Sequence, residues 1–321
     1  MEEPQAPRAA VRGASLGQGL AVKAHAMAQS HAHRWGQIIG DAFEVFVRSV
    51  LTDIAKRHKL YLDFKRPREA RGGQGKVTWQ DAYGNKHDLD YVLERGGSEG
   101  AVGAPVAFIE SAWRRYTKHS KNKVQEIEAA VLPVALTFAR HQPFCGAVLA
   151  GEFTRNALAQ LESKGFTVLH VPYESILQAF SALGVDASSV DGVTTEDEFQ
   201  RKIEQWRALA QPAATNRFLN SLNRLHAADV AKFQARLEAS LSRNVVSVRM
   251  AVLRGETVEC PDVASAIAYL IEEGRAYRMR EAAEQREMFE IIVRFNNGAR
   301  IEATFPTRTE AVAFLRTFED I

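Results

Sequence analysis

The sequence predicts an α/β N-terminal domain, a helical connector and a small C-terminal α+β domain. Three observations carry this. One long helical stripe opens the ordered chain, strand-like and helical runs then alternate, and the last part holds two similar strand-turn-strand-helix segments. A length of 321 residues suits about two domains of roughly 100–200 residues each. With 46% hydrophobic and 25% charged residues the composition is that of a folded chain and excludes global disorder.

Residues 1–24 are rich in Ala, Gly, Pro and Arg without periodicity and read as a flexible arm. From His25 the pattern becomes helical: Trp35, Ile38, Ile39, Ala42, Phe43, Phe46, Val47, Val50, Leu51 and Ile54 recur at three- and four-residue spacings. KLYLDFKRPREARGGQGK is then a basic loop broken by Gly and Pro. VTWQD, the turn AYGN and KHDLDYVLE predict a hairpin, and PVAFIESAW is an apolar run suited to a central strand. A helix follows despite Pro133, and FCGAVLAGEF, NALAQLESKG, FTVLHVP and YESILQAFSALG read as strand, helix, strand and helix. These elements define a domain over 25–190.

Thr195 and Glu198 have the spacing of a capping box, which opens a helix with Phe199, Ile203, Trp206 and Leu209 on one side. A second helix after Pro212 runs through NRFLNSLNRLHAADVAKFQARLEASL and completes a connector over 194–243. Over 244–321, Gly255 matches Gly298, Val258-Glu259 matches Ile301-Glu302, and AIAYL matches AVAFL. A duplicated ββα unit predicts one four-stranded sheet backed by two helices, serving DNA recognition or dimerisation.

Lys+Arg 41 against Asp+Glu 39 leaves a net charge of +2, so any polyanion-binding signal has to be local. Cys145 and Cys260 form neither a disulfide framework nor a thiolate metal site, which fits a reducing cytoplasm. No secretory h-region or apolar run of membrane-spanning length is apparent, so no membrane partner is expected.

The chemistry-bearing residues are acids in unusual places. Glu44 lies in GDAFE on the first helix, Asp90 in DLD, and Glu110 in IESAW. Asp90 and Glu110 interrupt apolar strand runs, where a charged carboxylate has to be paired or to bind a cation. Oxygen donors of this kind suit Mg²⁺ or Mn²⁺. The competing reading places each acid at a strand end, in solvent or in a salt bridge.

The order of these motifs resembles the PD-(D/E)XK nuclease superfamily: a G-x-x-F-E-like helix, a hairpin strand bearing Asp, and a strand bearing Glu-x-Lys. The resemblance covers roughly residues 35 to 175. It implies a restriction-endonuclease-like mixed sheet flanked by helices, and Mg²⁺-dependent hydrolysis of phosphodiester bonds, with Mn²⁺ as a substitute. Asp90 and Glu110 would be metal ligands and Glu44 an outer ligand or orienting group. The motif's lysine position holds Ala112. The following helix offers Lys118, Lys121 and Lys123, ranked Lys121, Lys118, Lys123 on helical spacing; a mechanism without lysine and a loss of activity are the alternatives.

Basic residues flank the acids. Arg66, Arg68 and Arg71 before the hairpin, and Arg114, Arg115 and Lys123 with Gln125 after the Glu110 strand, are candidate DNA contacts; solvated charged faces are the plain alternative. Lys86 and His87 either touch phosphate or are exposed hairpin residues. His25, His31 and His33 lack a carboxylate or Cys partner for zinc. The expectation is an endonuclease acting on double-stranded DNA, of type II restriction character and homodimeric. A nuclease-fold DNA-binding or assembly protein without activity is the second reading, and structural acids in an unrelated α/β protein the third.

Overall fold

The computed structural model describes residues 30–117, 120–252, 257–278 and 288–319. The arm over 1–24, with His25, lies outside the described residues, as do Lys118 and Gly255. Helix α1 (His31–Arg57) starts where the Ser30 hydroxyl accepts the His33 N–H at 3.2 Å, and its predicted apolar stripe is buried from Trp35 to Ala55.

Strands β1 (Tyr61–Phe64), β4 (Tyr91–Arg95), β5 (Ala104–Arg114), β6 (Phe144–Gly151) and β7 (Thr167–Val171) form one sheet in the order β1-β4-β5-β6-β7. The β1–β4 and β4–β5 pairs are antiparallel, and β5–β6 and β6–β7 are parallel. Helices α2 (Ser120–Thr137) and α3 (Arg155–Ser163) make the crossovers between the parallel strands, and α4 (Tyr173–Ser181) follows β7. The sheet is therefore mixed and flanked by helices, as expected. Along β4 and β5 the side chains alternate between two cores. Tyr91, Leu93, Ala107 and Ile109 pack in the core that contains α1, while Val92, Phe108 and Ala112 pack in the one that contains α2.

Three expectations change. β1 lies inside the stretch read as a basic loop, and its buried Asp63 hides the strand alternation. The predicted hairpin divides: β2 (Val77–Gln80) and β3 (Lys86–Leu89) pair as a separate two-stranded ribbon, whereas β4 belongs to the main sheet. The connector is α5 (Glu196–Ala208), opened by the predicted capping box, then α6 (Ala213–Leu225) and α7 (Ala227–Leu241), separated at His226. Its Phe199, Ile203, Phe218, Leu222, Phe233 and Leu237 share one core with α1. These helices thus complete the N-terminal unit, because the apolar face of α1 is broader than the sheet alone covers.

The two C-terminal repeats are β8 (Val245–Val252), β9 (Thr257–Cys260) and α8 (Val263–Arg278), then β10 (Phe289–Phe295), β11 (Arg300–Phe305) and α9 (Arg308–Arg316). They interleave as one antiparallel sheet, β11-β10-β8-β9, with Met250 opposite Ile291 and Val248 opposite Val293 at its centre. The unit has its own core of Val248, Met250, Leu270, Ile291, Val293 and Leu315. Buried Arg243 ties it to the first unit: it donates to the Gln142 side chain and the His141 carbonyl, each at 3.0 Å, and stacks 4.3 Å from the centre of the Phe295 ring. Among the described residues no helix is long and apolar enough to cross a membrane.

Candidate functional site

Asp90 is the single residue between β3 and β4, where the chain leaves the ribbon and enters the sheet. Glu110 is in β5, between Phe108 and Ala112 on the α2 side, and is 5% exposed. The two clamp each other's backbone. Glu110 Oε1 accepts the Asp90 N–H at 3.0 Å, and Asp90 Oδ2 accepts the Ser111 N–H at 2.8 Å. One oxygen of each carboxylate is thereby oriented, and a second remains on each. Burial, and then the charge of Asp90, hold the Glu110 carboxyl well above the usual carboxylate range.

The opposing positive charge comes from Lys123 of α2. Helix α2 turns Ser120, Val124, Ile127, Val131 and Val134 inward, and Lys123 lies on that half-buried side, within 3.3 Å of Glu126. Lys121, ranked first from the sequence, is about 200° away around the helix and exposed, so the structure turns Lys123 rather than Lys121 toward the sheet. The inward apolar residues Val124, Ile127, Val131 and Val134 set which lysine of α2 faces the sheet. Ala112, at the motif's lysine position, is buried against the α2 core.

On the other side, the buried Tyr91 hydroxyl donates to the Glu44 carbonyl at 3.1 Å and fixes α1 against β4. A cavity of about 190 Å³ opens there, lined by Asp41, Glu44, Arg48, Lys65, Asp90 and Tyr91. Glu44 reaches solvent, yet partial desolvation and the charges of Asp90 and Asp41 raise its pKa, while Lys65 and Arg48 oppose the rise. Lys65 belongs to the basic segment before the hairpin that the sequence places around the acids, whereas Asp41 and Arg48 were not singled out from the sequence. The signal for these two was the spacing of Asp41, Glu44 and Arg48, three and four residues apart on the polar side of α1.

Several proposed DNA contacts are internal instead. Arg68 is fully buried, forks onto Glu94 at 2.7 and 2.9 Å, reaches Asp63 at 2.8 Å, and donates to the carbonyls of Ser98 and Ala101. Arg71 pairs with Asp63 at 3.0 Å. Two buried carboxylates on adjacent strands demand buried cations, and the basic segment supplies them. Arg66 is committed to Glu99, at 3.0 and 2.7 Å. Arg115 donates to the Ala32 carbonyl at 3.1 Å and stacks on Phe199, bracing α1 against α5. Half-exposed Arg114 and exposed Gln125 stay at the α2 end of the site.

Among the described residues no group of three or more His, Cys, Asp or Glu is arranged to hold a metal ion. Asp90 and Glu110 alone offer two carboxylates, a donor set that suits Mg²⁺, which keeps several waters and takes one or two carboxylates. In chelated protein, Glu110 and Glu44 bind protons more readily folded than unfolded. Their contribution to stability is full below the ordinary glutamate value of about 4.3 and is lost as pH rises through the raised folded values. The melting temperature in EDTA is therefore expected to decline over this range less steeply for Glu110→Gln than for the native chain. Equal slopes contradict the raised Glu110 pKa.

No family model matches the chain, and no curated protein matches it. A solved protein of unknown function, AF1548, is similar over 57% of this chain and 99% of its own length, at 11% identity and a TM-score of 0.26. A likeness that low bears on neither fold nor activity.

Proposed function

We propose that the N-terminal unit is a divalent-cation-dependent endodeoxyribonuclease of the restriction-endonuclease-like fold, acting on double-stranded DNA. The observation that carries this is the pair Asp90 and Glu110: two juxtaposed carboxylates, one buried and held above its usual pKa, with the charge of Lys123 on the neighbouring helix opposing that rise. Backbone N–H groups, the charge of Lys123 and protonation of Glu110 offset part of the cost of burying this pair, and a divalent cation would let both carboxylates stay ionised. Mg²⁺ or Mn²⁺ bound there would supply Lewis acidity toward a phosphoryl oxygen and an attacking water.

The chain's own residues then divide the work. Asp90 and Glu110 hold the ion, each with one oxygen fixed by a backbone N–H. Lys123 orients the water or offsets charge developing on the phosphate, in place of the motif lysine missing at Ala112. Lys65 and Arg48 line the cavity beside Asp90, where they would meet the backbone of the strand being cut. Glu44 orients this cavity. A homodimer would present one such site to each strand.

Plasmid and linear DNA incubated with the protein in Mg²⁺, and in chelator, test the proposal. Chelator-sensitive cutting is expected, and DNA retained without cutting selects the inactive binding protein. Under single turnover, Lys123→Met is expected to lose about 10²-fold or more in cleavage rate with little change in DNA affinity, and Lys121→Met to lose far less. Equal small losses in both variants would remove lysine from the chemistry.

A further inference from the structure

The β2–β3 ribbon stands apart from the five-stranded sheet, yet its root is fixed. Val77 and Leu89 are buried in the α2 core, and Trp79 packs edge-on against Phe108 and Phe138, with ring centres 5.9 and 5.4 Å apart. Leu89 runs directly into Asp90, so the ribbon projects from the candidate site. Its tip is also rigid. The Asp81 carboxylate accepts the backbone N–H of Tyr83 and of Asn85, each at 2.9 Å, and the Asn85 amide at 2.9 Å, and contacts His87 at 3.1 Å. Gly84 takes the left-handed conformation, φ 84°, that closes the turn.

These bonds consume the polar groups inside the turn and leave its outer side chains free. Tyr83 is 90% exposed, the most exposed large apolar side chain among the described residues. Gln80 and Lys86 face each other across the ribbon and are both exposed. Neither has a hydrogen-bond or ion-pair partner among the described residues. An anchored arm whose backbone is already ordered and which ends in an uncovered aromatic ring and two uncommitted polar side chains is prepared for a partner, because little backbone entropy remains to be lost on binding.

We infer that the β2–β3 ribbon enters the major groove of duplex DNA beside the cut and reads bases there with Gln80, Tyr83 and Lys86. The inference rests on the nuclease reading and gives it a recognition element within the N-terminal unit. The major groove, about 12 Å wide, admits a two-stranded ribbon. The side-chain chemistry matches its base edges: Gln pairs with adenine N6 and N7, Lys with guanine O6 and N7, and an aromatic ring packs on the thymine methyl. Lys86 lies four positions before Asp90. At about 3.3 Å per residue this spans roughly 13 Å, or about four base pairs from the cut.

The test uses the full-length chain and short duplexes with a randomised centre, with Ca²⁺ in place of Mg²⁺ to slow cutting. The native chain is expected to enrich a short motif. Gln80→Ala and Tyr83→Ala should each reduce the ratio of motif to random-duplex affinity by roughly ten-fold, with random-duplex affinity and melting temperature unchanged. Variants that keep the native ratio overturn the ribbon's role, and Mg²⁺-dependent cutting by those same variants leaves the nuclease reading standing. A native chain that neither retains nor cuts any duplex overturns both.

Discussion

Asp90→Ala and Glu110→Ala are each expected to lower Mg²⁺-dependent cleavage by at least about 10³-fold, the largest effect on activity that the site predicts. The reason is the economy of the donor set: with two carboxylates, losing either leaves one ligand for a strongly hydrated ion. Folding should survive. Asp90→Ala removes one acceptor, for the Ser111 N–H, a loss of about 1 kcal/mol, and at the same time relieves the repulsion on Glu110. Glu110→Gln separates charge from shape more cleanly, since an amide oxygen still accepts the Asp90 N–H. Single-turnover rates measured beside circular dichroism decide the matter. An unfolded Glu110→Gln protein would mean that the carboxylate serves structure, and normal turnover by Asp90→Ala would remove the pair from the chemistry.

Arg68→Ala is expected to have the largest effect on stability, roughly 3–5 kcal/mol, by stranding buried Glu94 without a cation and leaving buried Asp63 with Arg71 alone. Arg68→Lys should recover little of this, because an ammonium cannot fork onto Glu94 while also reaching Asp63 and two carbonyls. Arg66→Ala serves as the comparison, since its pairing with Glu99 is half exposed and worth about 1 kcal/mol or less. Chemical denaturation of the three variants measures the difference. Equal, small losses would return Arg68 to the surface and reopen its reading as a phosphate contact.

The contrast between Arg68 and Glu110 shows what the sequence carries. Glu110 was legible because an acid inside VAFIESAW violates a local apolar pattern, and local patterns are what a sequence displays. Arg68 was misread because its partners are five residues before it and twenty-six after it, on strands whose pairing no local pattern reveals. The α1 stripe, the capping box at Thr195 and the duplicated ββα unit were readable for the same reason as Glu110. The α5–α7 helices were readable as helices, but their burial against α1 depended on the long-range packing of Phe199, Phe218 and Phe233. The lysine ranking leaned on the Lys121–Gln125 spacing, whereas Val124, Ile127, Val131 and Val134 set the buried face of α2 and place Lys123, not Lys121, on its half-buried side.

Asp90 and Glu110 are proposed to form a divalent-cation site together. Titration of the full-length protein with Mn²⁺, followed by the electron paramagnetic resonance of the free ion, measures it without requiring cleavage. The native chain is expected to bind Mn²⁺ in competition with Mg²⁺, and Asp90→Ala and Glu110→Gln to lose that binding. A native chain that binds none, or variants that bind as tightly as it does, would contradict the account.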